Sequence, residues 1–158
     1  MTTDVFFGQL GIGITLGLAA IGSAIGIGAA GRAAAGAWAK EAKSGQPLKA
    51  TYIILAGMPL SQTIYAFILM FVSLKGGIID KPEILAAHPG TLLGFGMACG
   101  IAELFSAWMQ GLIGAAACRA LSEGQGKGLA FMIIAMGIAE TVGLFGFIFP
   151  LLIIAGIK

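Results

Sequence analysis

Apolar residues fill four long stretches, 5–39, 52–74, 91–118 and 129–157, and most charged residues fall in the short segments between them. Each stretch is long enough to cross the hydrocarbon core of a bilayer as a helix. In lipid the backbone must satisfy its own hydrogen bonds, so these stretches are expected to be helical. The pattern predicts an all-α membrane protein with four transmembrane helices. The first and third stretches exceed the roughly 20 residues that a bilayer core needs, and their ends are expected to project into water.

The chain repeats itself. Laying Gln62 on Glu140, a shift of 78 positions, also brings Gly22 onto Gly100, Gly36 onto Gly114, Ser44 onto Ser122 and Thr63 onto Thr141. Two tandem helical hairpins follow, residues 1–80 and 81–158. With four spans both hairpins run the same way across the membrane, so the repeat is parallel, unlike the inverted repeats of many secondary transporters. A duplicated hairpin suggests a unit repeated around an axis. Lys40, Lys43 and Lys49 lie between the first two helices and Arg119 and Lys127 between the last two. The excess of positive charge places both loops in the cytoplasm, with the termini and the middle loop, which has only Lys75 and Lys81, outside.

Composition agrees with a lipid solvent. Of 158 residues, 58% are hydrophobic and 10% charged, too few charges to coat a soluble domain of this length. No basic run interleaved with aromatics suggests nucleic acid. Cys99 and Cys118 have no His or Cys partner at metal-ligand spacing and read as small packing residues. The segment before the first helix carries Asp4 and no Lys or Arg, the wrong charge for a secretory signal, so the first helix is expected to stay in the mature protein.

The 26 glycines cluster on the first and third helices, where Gly13 and Gly17, Gly22 and Gly26, and Gly96 and Gly100 each stand four residues apart. Small residues on one face let helix backbones approach closely, which in lipid takes the place of a hydrophobic driving force. The second and fourth helices carry the bulk instead, with Tyr65, Phe67 and Phe71, then Phe145, Phe147 and Phe149. A tight inner circle and a bulkier outer one are expected. No strand precedes these glycines and no Gly-Lys-Ser or Gly-Lys-Thr triplet follows them, so they form no phosphate loop.

Glu140 lies deep in the fourth apolar stretch. An ionised carboxylate there costs heavily unless a cation neutralises it, and such a residue is a functional candidate, with a protonated acid tying helices together as the plainer role. The second helix offers a matching face: Met58, Ser61, Gln62 and Tyr65 recur at three- and four-residue spacing. Pro59 lacks an N–H and disturbs the local ladder, which can free carbonyl oxygens. Gln110 adds an amide from the third helix. Singly these are interhelical hydrogen-bond glue. Together they supply one carboxylate, two amide oxygens, a hydroxyl and a backbone carbonyl, enough to replace the hydration of a small hard cation. A proton needs far less, so the surplus of oxygens favours Na+. Tyr65 is bulky for a ligand, but its hydroxyl can hold a loaded carboxylate closed.

At these residues the sequence resembles the duplicated four-helix proteolipids, the K or c subunits, of bacterial V-type sodium-translocating rotary ATPases. The resemblance spans nearly the whole chain and rests on Met58-Pro59-Leu60-Ser61-Gln62-Thr63-Ile64-Tyr65, Phe105-Ser106-Ala107-Trp108-Met109-Gln110-Gly111 and Ala139-Glu140-Thr141. It implies a ring of identical subunits in the cell membrane, driven through a central stalk by a soluble ATP-hydrolysing head and turning against a stator with an essential arginine. The chain itself would bind no ATP and catalyse nothing alone. By position the resemblance implies Glu140, Gln110, Gln62, Ser61 and the Met58 carbonyl as Na+ ligands, H+ as the alternative ion, and Tyr65 as the lock. Gln62 stands where the second hairpin has Glu140, so each duplicated unit would move one ion.

Glu103, seven residues before Gln110, departs from that pattern. Lining a water-filled ring interior or bonding a neighbouring helix as the neutral acid is favoured over extending the ion path. Arg32 is expected to snorkel to the cytoplasmic surface. Trp38 and Tyr52 read as interfacial anchors, Trp108 as packing and His88 as a solvated loop residue. A small secondary transporter of cations or protons using Glu140, and a purely structural membrane oligomer, remain the competing classes. The first leaves little room for an organic substrate, and the second leaves the clustered oxygens without a purpose.

Overall fold

A computed structural model describes residues 3–157; Met1, Thr2, Lys158 and the side chain of Asp4, on which the amino-terminal charge argument rests, lie outside the described residues. The chain is helical almost throughout, with α1 (Thr3–Lys43), α2 (Thr51–Gly57), a 3-10 turn (Met58–Leu60), α3 (Ser61–Ile68), a π-helical stretch (Leu69–Ile79), α4 (Pro82–Ala87), α5 (Pro89–Glu123) and α6 (Leu129–Ala155). Four segments are long and apolar enough to cross a membrane: Val5–Lys43, Thr51–Ile79, Pro89–Glu123 and Leu129–Ala155.

The most extensive contact joins α1 to α5, and glycine makes it possible. A Cβ on Gly11, Gly22, Gly26, Gly96 or Gly111 would run into the backbone of the facing helix. Gly111 and Gly26 meet each other directly, so the axes come as near as two backbones allow. Gly13 and Gly17 differ from the expectation: nothing lies within 4 Å of a Cβ at either. They share a face, but it points away from α5, because only one stripe of a helix can meet a given neighbour. The second span and α6 pack on the outside of this pair, and Phe67, Phe71, Phe145 and Phe149 are exposed on them.

Pro59 interrupts the α-helical ladder of the second span. Lacking an N–H, it leaves the Leu55 carbonyl without its usual helical partner, and the ladder tightens into the 3-10 turn at Met58–Leu60. The released oxygen is met by Gly114 of α5, where a Cβ would stand 2.7 Å from Leu55 O. Further out the same span widens: Asp80 N–H bonds Lys75 O, five residues back. The span thus runs on to Ile79 and takes Lys75, expected in the middle loop, into its last turns, where the ammonium pairs with Asp80 at 2.7 Å. The remaining middle connection holds the short α4.

The turn after α1 is built around Glu41. This carboxylate is almost fully buried and accepts hydrogen bonds from Tyr52 OH at 2.6 Å, Lys49 Nζ at 2.9 Å and Lys49 N at 3.0 Å. Trp38 Nε1 donates to Lys49 O at 2.8 Å. The bond to Glu41 holds the Lys49 ammonium above the usual lysine range. Tyr52 therefore does not present its ring to a membrane surface as an anchor would. Tyr52 is fully buried, its ring stands edge-on to Trp38 at 6.0 Å, and both secure the loop. Cys99 and Cys118 are buried free thiols, as expected of packing residues. Arg32 is exposed, and Trp108 stacks on Phe105 at 6.2 Å.

Candidate ion-binding site

The 3-10 turn at Met58–Leu60 sets the site. It hands the chain to α3 with Ser61, Gln62 and Tyr65 aimed toward α5 and α6, and it leaves Ser61 Oγ donating to Met58 O at 3.0 Å. Ser23 of α1 braces the turn from behind, donating to Pro59 O at 2.6 Å and accepting from Thr63 Oγ1 at 2.7 Å. The proline's own carbonyl is thereby satisfied from outside the span.

From Gln62 a continuous chain of hydrogen bonds runs to Glu140. Ser61 Oγ lies 3.1 Å from Gln62 Oε1. Gln62 Nε2 donates to Gln110 Oε1 at 3.2 Å. Gln110 Nε2 donates to Glu140 Oε2 and to Met136 O, each at 3.2 Å. The other carboxylate oxygen, Oε1, accepts from Tyr65 OH at 2.9 Å. Gln62 and Gln110 are fully buried, while Glu140 keeps partial exposure at the outer face. All six residues singled out from the sequence therefore meet at one place, drawn from the second span, α5 and α6.

Tyr65 does not float on its hydroxyl alone. Its ring stacks on Phe147 at 5.6 Å and 16°, so the phenol is held by a face as well as by a polar tip. Among the described residues no group of three or more His, Cys, Asp or Glu could hold a metal. Any cation here would rest on one carboxylate and neutral oxygens, a donor set suited to a hard ion of low charge rather than a transition metal.

Ser106 is a member of the network for which the sequence suggested no role. It accepts from Gln62 Nε2 at 3.0 Å and donates to Ala139 O at 2.8 Å, pinning the buried glutamine to the helix turn that carries Glu140. Its place in the Phe105–Gly111 motif, one turn before Gln110, was the signal to find it by. Glu103 lies one turn earlier again. It lines no water-filled space within the subunit: the side chain is fully buried and lies against Gly143 of α6, where a Cβ would strike Glu103 Oε2. Neither carboxyl oxygen has a hydrogen-bond partner among the described residues, so the expected bond to a neighbouring helix is absent as well.

The family model of the ATP synthase C subunit matches the chain twice, over residues 10–73 and 93–153. The chain belongs to the ATP synthase C-subunit family. The two matches fall on the two hairpins, one copy of the family's unit in each. No individual curated protein matches the chain. Proteins of this family are non-catalytic, ion-translocating components of oligomeric membrane rings that work with other ATPase subunits, and the four apolar spans agree with a multi-pass membrane protein of that kind.

Proposed function

We propose that this chain is the rotor-ring subunit of a V-type rotary ATPase and carries Na+ across the membrane on Glu140 as the ring turns. The observation that supports this most directly is the hydrogen-bonded path from Gln62 through Gln110 to Glu140, with Ser61 Oγ 3.0 Å from Met58 O and 3.1 Å from Gln62 Oε1 at its far end. A proton would need only the carboxylate and one partner. Oxygens gathered from three spans suit an ion that must exchange its water shell for protein ligands. Glu140, Gln110, Gln62, Ser61 and Met58 O would hold it, and the Tyr65 hydroxyl on Glu140 would lock the carboxylate inward while the subunit faces lipid. An ion bound to Glu140 offsets a charge whose exposure at the bilayer centre costs at least about 2.5–3.5 kcal/mol.

In this scheme identical subunits close a ring in the cell membrane, with the loops after α1 and α5 cytoplasmic, where central-stalk subunits dock, and with the termini and middle connection outside. The boundary between the hairpins is placed at 80/81. A stator arginine would draw Glu140 away from its ion and release it. Gln62 in place of a second acid gives one ion per four helices, which lowers the ions moved per turn and suits pumping against a steep gradient. Net ATP synthesis by the reconstituted complex under a modest gradient would contradict that direction. H+ carriage on Glu140 is the second reading, supported by the Tyr65 bond alone, and a free-standing cation transporter is the third.

A carbodiimide that attacks protonated carboxyls tests the scheme. In the purified ring it should modify Glu140, and Na+ should protect in proportion to its binding. Modification that Na+ leaves unchanged would assign H+ instead, and a protein that never copurifies with an ATP-hydrolysing head would point to the transporter.

A further inference from the structure

Glu103 is a buried carboxyl that the ion site does not use. It is 0% exposed, and neither oxygen meets a hydrogen-bond partner among the described residues. The ion pairs found among those residues, Lys49–Glu41 and Lys75–Asp80, lie toward the ends of the spans and do not reach it. The titratable groups coupled to it through space are Cys99, Tyr65 and Glu140, none of them cationic.

The fold makes room for this group. In the 78-residue register Gly143 corresponds to Tyr65 and Glu103 to Ile25. Where the first hairpin carries the bulky phenol, the second carries no side chain, and a Cβ at Gly143 would collide with Glu103 Oε2 and stand 2.9 Å from Ser106 Oγ. The carboxyl thus occupies space released by a glycine, next to the hydroxyl that anchors Gln62.

We propose that Glu103 is a second binding site whose ligand is a proton: each subunit keeps one proton on this carboxyl, between α5 and α6, while the transported ion exchanges at Glu140. The proposal rests on Glu140 being the exchanging carboxylate. A bare carboxylate so enclosed has no countercharge among the described residues to stabilise it. A metal cation is a poor alternative, because the surroundings supply few oxygens and Ser106 already commits its hydroxyl proton to Ala139 O. Ser106 Oγ also accepts from Gln62, so its bonds to α6 and to the second span are already made. A neutral Glu103 fills the space that Gly143 leaves beside Ser106 and adds no charge there, so that Ser106 stays the donor to Ala139 O and the acceptor from Gln62. It acts on the ion site as a positioning residue and does not touch the ion.

Infrared spectroscopy of the purified ring tests this. In saturating Na+ at neutral pH the wild-type ring should show a protonated-carboxyl stretch that added Na+ does not remove. Glu103→Gln, which matches the neutral acid in shape, should abolish that band and hold Na+ protection of Glu140 within about threefold. Absence of the band from the wild type, or its survival in Glu103→Gln, overturns the proposal. Should Glu103→Gln fail to assemble, the Glu140→Gln ring decides: persistence of the band there supports the proposal and its absence refutes it. If Glu140 carries H+ rather than Na+, two protonated carboxyls appear in the wild type and Glu103→Gln still removes one of them, so the two readings fail separately.

Discussion

Gln62 Nε2 donates to Gln110 Oε1 across 3.2 Å, joining the second span to α5 beside Glu140. Gln62 is the register partner of Glu140 in the duplicated chain. One hairpin thus has an amide where the other has an acid, and that amide serves the site of the other hairpin. Two carboxylates in this space would repel unless each carried an ion, whereas an amide brings an oxygen and a donor with no charge to neutralise.

Tyr65→Phe removes the hydroxyl that reaches Glu140 Oε1 and leaves the ring that stacks on Phe147. A hydrogen bond to a charged group contributes about 1.5–3 kcal/mol, so ion affinity should fall by about tenfold or more. The measurement is the Na+ concentration that halves carbodiimide modification of Glu140. An unchanged midpoint would show that the hydroxyl is not the lock.

Ser106→Ala should loosen the site without unfolding it. Gln62 would lose one acceptor but keep Gln110 Oε1, a loss of about 0.5–1.5 kcal/mol. A two- to tenfold rise in the same Na+ midpoint is expected, with ring assembly on a native gel intact.

Two glycine substitutions of equal size should behave oppositely. Gly111→Ala drives a methyl into the backbone of Gly26, and overpacking of this kind costs about 1–3 kcal/mol. Gly17→Ala meets nothing within the subunit, and its effect on folding should be near zero. Thermal unfolding of the detergent-solubilised protein compares them.

The turn after α1 should be insensitive to neutral and mildly alkaline pH. The Lys49 ammonium is held above its ordinary range by Glu41. A raised folded-state value means that the contribution is complete below the unfolded lysine value of about 10.4 and is lost only as pH climbs through the higher folded value. Trp38, which donates to Lys49 O, reports on this by its fluorescence in a Trp108→Phe background. A shift near pH 7 would refute the arrangement, and Glu41→Gln should move the transition to lower pH.

The spans, the duplication and the residues of the ion site were legible in the chain because each depends on a local property. Apolar runs longer than a bilayer core must become helices, and Ser61, Gln62 and Tyr65 share a face by helical spacing alone. Glu140 stood out because a carboxylate in such a run is costly wherever the helix is placed. The roles of Ser106, Trp38 and Tyr52 were not legible, since a serine or an aromatic near a helix end is compatible with lipid, water or a neighbouring helix until the neighbour is known.

The order of apolar and polar residues by itself thus determined a four-span, twice-repeated helical protein with one exceptional acid. Only the tertiary structure decided which glycines bring α1 and α5 together, that the second span carries a 3-10 turn and a π-helical end, and that Glu103 is enclosed against Gly143. The reason is geometric: periodicity gives each helix its faces, but rotation about the helix axis and the 3-10 turn at Pro59 settle which face meets which. Those choices emerge from the packing of all four spans at once.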